Sequence, residues 1–332
     1  METELNKSKI ESEYTAVYTP LVKKFCDKVC KSIDLKNYKP IPRVNENGEQ
    51  IPGKNRAPAP FLPIIGDGYY DASIKVAFYG METYCWHDLY RFVTKFDKDN
   101  TQSLADVKAY TDGDDKKYTN RFHNHHGLDY ENDSVFGFWK FVYSTLAGIY
   151  NKDESVIRKD ESILKSFIWG NVNAYEKYNA TWKDLKVDNK ITDKKKDWKC
   201  VFKAASKYFN SAQLLLPYTH PQIMVVFYWG MTRKWLTNKE GKWQDEEKKE
   251  IVWSEFNSRH PELSDEQKNI LKHYIRCYYV SYGSDSGTYV IRTMHPQGML
   301  RRGKGMSPEM WKAAIKHVLQ QIMQNDNFSS SY

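Results

Sequence analysis

Apolar positions along this chain fall into short, nearly unbroken runs that stop abruptly at glycine or polar residues. Four such runs stand out, at 74–79, 166–170, 221–230 and 288–294. The run Pro221-Gln222-Ile223-Met224-Val225-Val226-Phe227-Tyr228-Trp229-Gly230 has no apolar–polar alternation, as a strand covered on both faces requires. Between the runs the spacing turns helical. Val17, Leu21, Val22, Phe25, Val29 and Ile33 share one stripe within 1–35, and Phe138, Phe141, Val142, Leu146 and Ile149 share another within 136–150. A further helix is expected near 198–216. Ser264-Asp265-Glu266-Gln267 reads as a capping box opening a helix through Ile270, Leu271, Tyr274, Ile275 and Tyr278. Ser307-Pro308-Glu309 is an N-cap with Pro at the first helical position, and the helix it opens buries Trp311, Ile315, Val318 and Ile322.

Four strands alternating with helices predict an α/β fold, a three-layer α/β/α arrangement around a central four-stranded parallel sheet. Six of the twelve prolines lie in 40–63, so that stretch is extended and irregular. Residues 1–65 are therefore expected to form an N-terminal helix and Pro-rich extension packed on a core domain, 66–325. A polar insertion at about 95–135 interrupts that domain, and 326–332 is expected to be a disordered tail. There is no internal repeat.

With 332 residues, 40% hydrophobic, ten Trp and 24 Tyr, the chain can build a sizeable core, which excludes global disorder. The net charge of +8 favours a polyanionic partner. Its distribution is more informative, since 291–305 holds Arg292, Arg301, Arg302 and Lys304 and no acidic residue. Mixed runs such as Glu246-Glu247-Lys248-Lys249-Glu250 read as solvated faces. The five cysteines form no CxxC pair, the first residues lack an apolar signal core, and no run of 18 apolar residues exists. A cytoplasmic monomer with reduced thiols and no membrane contact is expected. His123-Asn124-His125-His126 has no Cys or Glu at a ligating spacing, so neither a metal nor another cofactor is expected.

The candidate chemistry lies just past two strand ends. Gly80-Met81-Glu82-Thr83-Tyr84 delivers a carboxylate, and His295-Pro296-Gln297-Gly298-Met299-Leu300-Arg301-Arg302 delivers a histidine beside the basic run. The carboxyl edge of a parallel sheet is where ligands bind in such folds. A carboxylate on one strand end and a histidine on another can converge on one bound group.

These motifs resemble those of the uracil-DNA glycosylase superfamily over about 60–325. The first resembles its Gly-Gln-Asp-Pro-Tyr or Gly-Met-Asn-Pro-Gly motif and the last its His-Pro-Ser motif. Between them Phe167-Ile168-Trp169-Gly170-Asn171, then Leu214-Leu215-Leu216-Pro217 with 221–230, follow the family's second and third strands in order. The resemblance implies a monofunctional DNA glycosylase that hydrolyses the bond to a flipped-out base and leaves an abasic site. Its roles fall residue by residue. Glu82 would be the catalytic carboxylate and His295 the donor to the base anion. Gly80, Met81 and Tyr84 would line the pocket, with Tyr84 beside C5 of the base. Asn171, with Asn173 as a rival, would read the base edge. Met299 would be the apolar wedge, and Arg301, Arg302 and Lys304 would hold DNA, either duplex with a flipped base or single-stranded. Glu82 stands where the family has Asp or Asn, Thr83 where it has Pro, and no four-cysteine pattern exists. The base is therefore open between uracil and a modified cytosine, such as the hydroxymethylated or glucosylated cytosine of phage DNA, the latter implying antiviral defence. The alternative is a non-catalytic DNA-binding or interaction protein on the same fold.

Overall fold

The computed structural model describes residues 2–32, 62–66, 68–80, 137–172, 216, 218–228, 244–281 and 287–325. Met81, Glu82, Thr83, Tyr84, Asn173, the histidines at 123–126, the insertion at 95–135, the helix expected over 198–215 and the tail at 326–332 lie outside these residues. The strands are β1 (Ile64–Ile65), β2 (Val76–Gly80), β3 (Phe167–Asn171), β4 (Ile223–Phe227), β5 (Gln244–Lys249), β6 (Arg276–Ser281) and β7 (Gly287–Thr293). The helices, numbered here in chain order, are α1 (Glu2–Ser32), α2 (Phe138–Ile149), α3 (Glu154–Ile157), α4 (Glu161–Leu164), α5 (Ser254–Arg259), α6 (Asp265–Tyr274), α7 (Pro296–Arg302) and α8 (Pro308–Asn325).

All seven strands form one sheet in the order β1-β3-β2-β4-β7-β6-β5. The middle four, β3-β2-β4-β7, are parallel and coincide with the four apolar runs. β1 joins one side antiparallel, and β6 and β5 extend the other as an antiparallel pair. The sheet is thus wider than the expected four strands. The mixed run Glu246–Lys249 is solvated as expected at Glu247 and Lys248, and it is also the backbone of an outer strand, which was not expected. One sequence reading needs correcting. Ile275 and Tyr278 do not continue the capped helix, because α6 ends at Tyr274 and the chain turns into β6 at Arg276. Tyr278 keeps helical spacing from Tyr274, but Cys277 and Tyr278 are both buried side by side, as on a strand covered on both faces.

Each parallel strand is buried on both faces. On one side Phe78, Phe167, Val225 and Ile291 pack against Phe141 and Leu146 of α2 and Trp311, Ile315 and Val318 of α8. On the other, α1 buries Tyr14, Tyr18, Val22 and Phe25. The Tyr14 hydroxyl donates to the Pro63 carbonyl at 2.8 Å, and Tyr18 lies close enough to Tyr79 for the two phenols to interact. The Tyr79 ring lies across Gly170, where a Cβ would come within 2.4 Å of it. Helix and sheet therefore meet closely on this face because β3 carries no side chain there. The expected boundary at 65 falls just after β1, which is hydrogen-bonded into the sheet, and Tyr14 of α1 bonds to Pro63 beside it.

Candidate functional site

Register places the carboxyl ends of the parallel strands in one row. Gly80 pairs with Asn171, Tyr79 with Val226, and Phe227 with Thr293. Alternation of side chains then puts Gly80, Asn171, Phe227 and Thr293 on the α2 face of that edge. The chain passes from β2 to β3 on one side and from the neighbouring β4 toward β7 on the other, so the connections after β2 and β4 diverge. This is the topological switch point, where an open sheet leaves a crevice.

Gly80 marks that point. A Cβ there would lie 2.5 Å from Asn171 Oδ1 and 3.6 Å from Phe138 Cε2. The absence of a side chain on β2 thus allows the buried Asn171 amide and an aromatic ring to approach one backbone position. Phe138 opens α2, whose N-cap is Gly137 with no side-chain cap. Its ring meets Phe227 edge-on at 5.4 Å between centroids. The sequence reading treated Phe138 only as a helix-stripe residue; an aromatic directly after an uncapped glycine start was the available signal. Thr293, 1% exposed, presents an Oγ1 without a hydrogen-bond partner among the described residues.

His295 follows β7 by two residues and caps α7, with Pro296 beginning the helix. Its Nδ1 accepts a hydrogen bond from the Gln297 amide at 3.3 Å. An acceptor nitrogen carries no proton, so in the neutral ring the proton sits on Nε2. Burial lowers the imidazole pKa from 6.5 to about 4. At neutral pH His295 is therefore an uncharged Nε2–H donor. The expected base-reading Asn171 ends β3, and the expected catalytic histidine follows the end of β7 by two residues, at the same edge of the sheet.

The expected wedge does not survive. Met299 is fully buried in the main core beside Met306 and Trp311. α7 turns its next residue outward instead, and Leu300 is 62% exposed, followed by exposed Arg301 and Arg302. In a helix adjacent positions point about 100° apart, so one step separates core from solvent. Lys304 is exposed too, but the fold brings an acidic partner to it. Its Nζ lies 3.3 Å from Glu266, and its carbonyl accepts from Gln267 Nε2 at 3.0 Å. Arg301, Arg302 and Lys304 are thus all exposed on this segment.

Burial pushes the Cys277 thiol up to about 12, which excludes it as a thiolate nucleophile. Among the described residues no group of three His, Cys, Asp or Glu side chains could hold a metal ion. No described helix is long and apolar enough to cross a membrane. Compared with known proteins, the chain matches no protein-family model and no curated protein sequence.

Proposed function

We propose that this chain is a DNA glycosylase of the uracil-DNA glycosylase type, hydrolysing the N-glycosidic bond of a flipped-out base and leaving an abasic site. The observation that carries the reading is the neutral, Nε2-protonated His295 two residues beyond the end of β7, at the carboxyl edge of the sheet where β3 ends in Asn171. Loss of the base places negative charge on one of its oxygens. A neutral imidazole N–H held in a mostly desolvated position can donate to that oxygen without itself being charged in the ground state, and such a donor contributes about 10²–10³ in rate. Asn171 offers both a donor and an acceptor to the base edge, so it suits uracil or, with its amide reversed, cytosine. Phe138 supplies an aromatic face at the crevice. Glu82, two residues beyond Gly80, is assigned to the positive charge on the sugar and to the attacking water. Leu300 takes the wedge role, with Arg301 and Arg302 on flanking phosphates. No Lys or terminal amine is assigned to Schiff-base chemistry, so the strand is left uncleaved.

The test is incubation with plain, uracil-containing and hydroxymethylated or glucosylated phage DNA, followed by detection of abasic sites. Base release from one modified class is expected. Glu82→Gln should abolish it while leaving DNA affinity within a few fold, and His295→Ala should slow single-turnover release by roughly 10²–10³. Release that is unaffected by either change would refute the assignment. DNA binding without abasic sites on any substrate would instead establish a non-catalytic binding protein.

A further inference from the structure

α7 has only seven residues, too few for its own hydrogen bonds to hold a helix or fix its rotation. Its direction is therefore set at its two ends. At the first, β7 leads into the His295 cap and Pro296. At the second, the Gly303 amide donates to the Met299 carbonyl at 2.8 Å, and a Cβ on Gly303 would lie 2.4 Å from that oxygen. Lys304 and Gly305 then run left-handed, at φ 50° and 78°, before the Met306 amide returns to the Gly303 carbonyl at 3.0 Å. A residue with a side chain is strained in that conformation and keeps it only where its surroundings impose it. Gln267 of α6, 37 positions earlier, supplies such a contact. Its Oε1 accepts from the Ser264 amide at 3.0 Å, completing the capping box, and its Nε2 donates to the Lys304 carbonyl at 3.0 Å. Both neighbours demand this orientation, since an amide N–H needs an acceptor and a carbonyl needs a donor.

We propose that Gln267 is a positioning residue for α7, clamping its last turn so that Met299 stays in the core and Leu300, Arg301 and Arg302 face outward. One side-chain amide then serves two elements, its oxygen at the start of α6 and its nitrogen at the end of α7. The consequence for DNA rests on the glycosylase reading, and the clamp itself does not.

Gln267→Glu separates the two roles. A glutamate still accepts from the Ser264 amide and suits a helix start, but it offers no donor to the Lys304 carbonyl. The comparison is made in the Lys304→Ala background, where the new carboxylate cannot replace the lost bond by pairing with the lysine. The unfolding temperature should change by no more than about 3 °C, because the cap is kept. Hydrogen exchange at the Gly303 and Met306 amides should accelerate about fivefold, the worth of one net hydrogen bond. The Gly298 and Met299 amides, bonded to the His295 carbonyl at the other end of α7, should keep their rates. Unchanged exchange at Gly303 and Met306, or an equal acceleration at Gly298 and Met299, would overturn the proposal. Duplex affinity should fall as exchange rises. Faster exchange at Gly303 and Met306 with unaltered duplex affinity would uphold the clamp and refute DNA binding through α7.

Discussion

The depressed pKa of His295 makes a thermodynamic prediction that requires no substrate. In the unfolded chain the imidazole titrates near 6.5, and in the native state near 4. Above pH 6.5 it is neutral in both states and stability does not depend on it. Between 6.5 and about 4 the unfolded chain binds a proton that the native protein does not, so native stability falls as the pH is lowered through that window. Below the native value both states are protonated and the loss is complete. The full gap corresponds to roughly 3 kcal/mol, and partial exposure of the ring brings it to about 2–3 kcal/mol. His295→Gln keeps a polar side chain at the cap and removes the titration. Urea midpoints of wild type and variant should therefore be compared at pH 7, 5.5 and 4, because the difference cancels the other histidines and carboxylates. For a urea slope of about 3 kcal/mol/M, the wild-type midpoint should fall relative to the variant by somewhat under 1 M between pH 7 and 4. Nitrogen NMR should show the Nε2-protonated tautomer at pH 6. A pH-independent midpoint difference, or an Nδ1-protonated ring, would refute both the desolvation argument and the donor role built on it.

Gly80→Ala should move Asn171, whose Oδ1 lies 2.5 Å from the new methyl, destabilising the fold by about 1–3 kcal/mol; base release should drop further than that stability loss explains, as single-turnover assays below the unfolding transition would reveal. Met299→Ala should cost about 2–5 kcal/mol in stability, as core truncations do, whereas Leu300→Ala should leave the unfolding temperature nearly unchanged. Leu300→Ala should instead impair release from duplex much more than from single strands, where no stack is opened; equal defects on both would remove Leu300 from the wedge role. Replacing Arg301 and Arg302 together by Ala should weaken binding to all sequences alike and flatten the dependence of log K on log salt by about one unit per lost phosphate contact. Lys304→Ala should change that slope by less than one unit, because its Nζ already lies 3.3 Å from a Glu266 carboxylate oxygen; a full unit's change would show that this ion pair does not compete with phosphate.

Much of the architecture was legible because the physics that sets it is local. Unbroken apolar runs are stable only as strands covered twice, and all four such runs became the parallel block. Ser264 and Gln267 form the reciprocal capping box that their spacing implied, and Ser307 caps α8 by accepting from the Met310 amide at 3.3 Å. The outer strands were not legible. β5 has the composition of a solvated run, and charge on an edge strand serves to discourage pairing with another chain, so it hides the strand from a hydrophobicity reading.

His295 and Asn171 could be named from the chain as polar residues delivered by strand ends. What each does there depended on neighbours distant in sequence. Asn171 is held against Gly80, 91 positions earlier, by strand register. Phe138 joins them through the docking of α2, and the glycine before it is the one local mark that sets it apart from the stripe it begins. The identity of the exposed apolar residue on α7 was decided by the rotation of a seven-residue helix, which sent Met299 into the core and Leu300 into solvent. The sequence thus determined the four parallel strands, the capped helix starts and the polar residues at the strand ends, because burial periodicity and capping act over a few residues. Only the tertiary structure decided which of those residues meet, which are desolvated and which way a short helix faces, because register, docking and dielectric are properties of the assembled sheet.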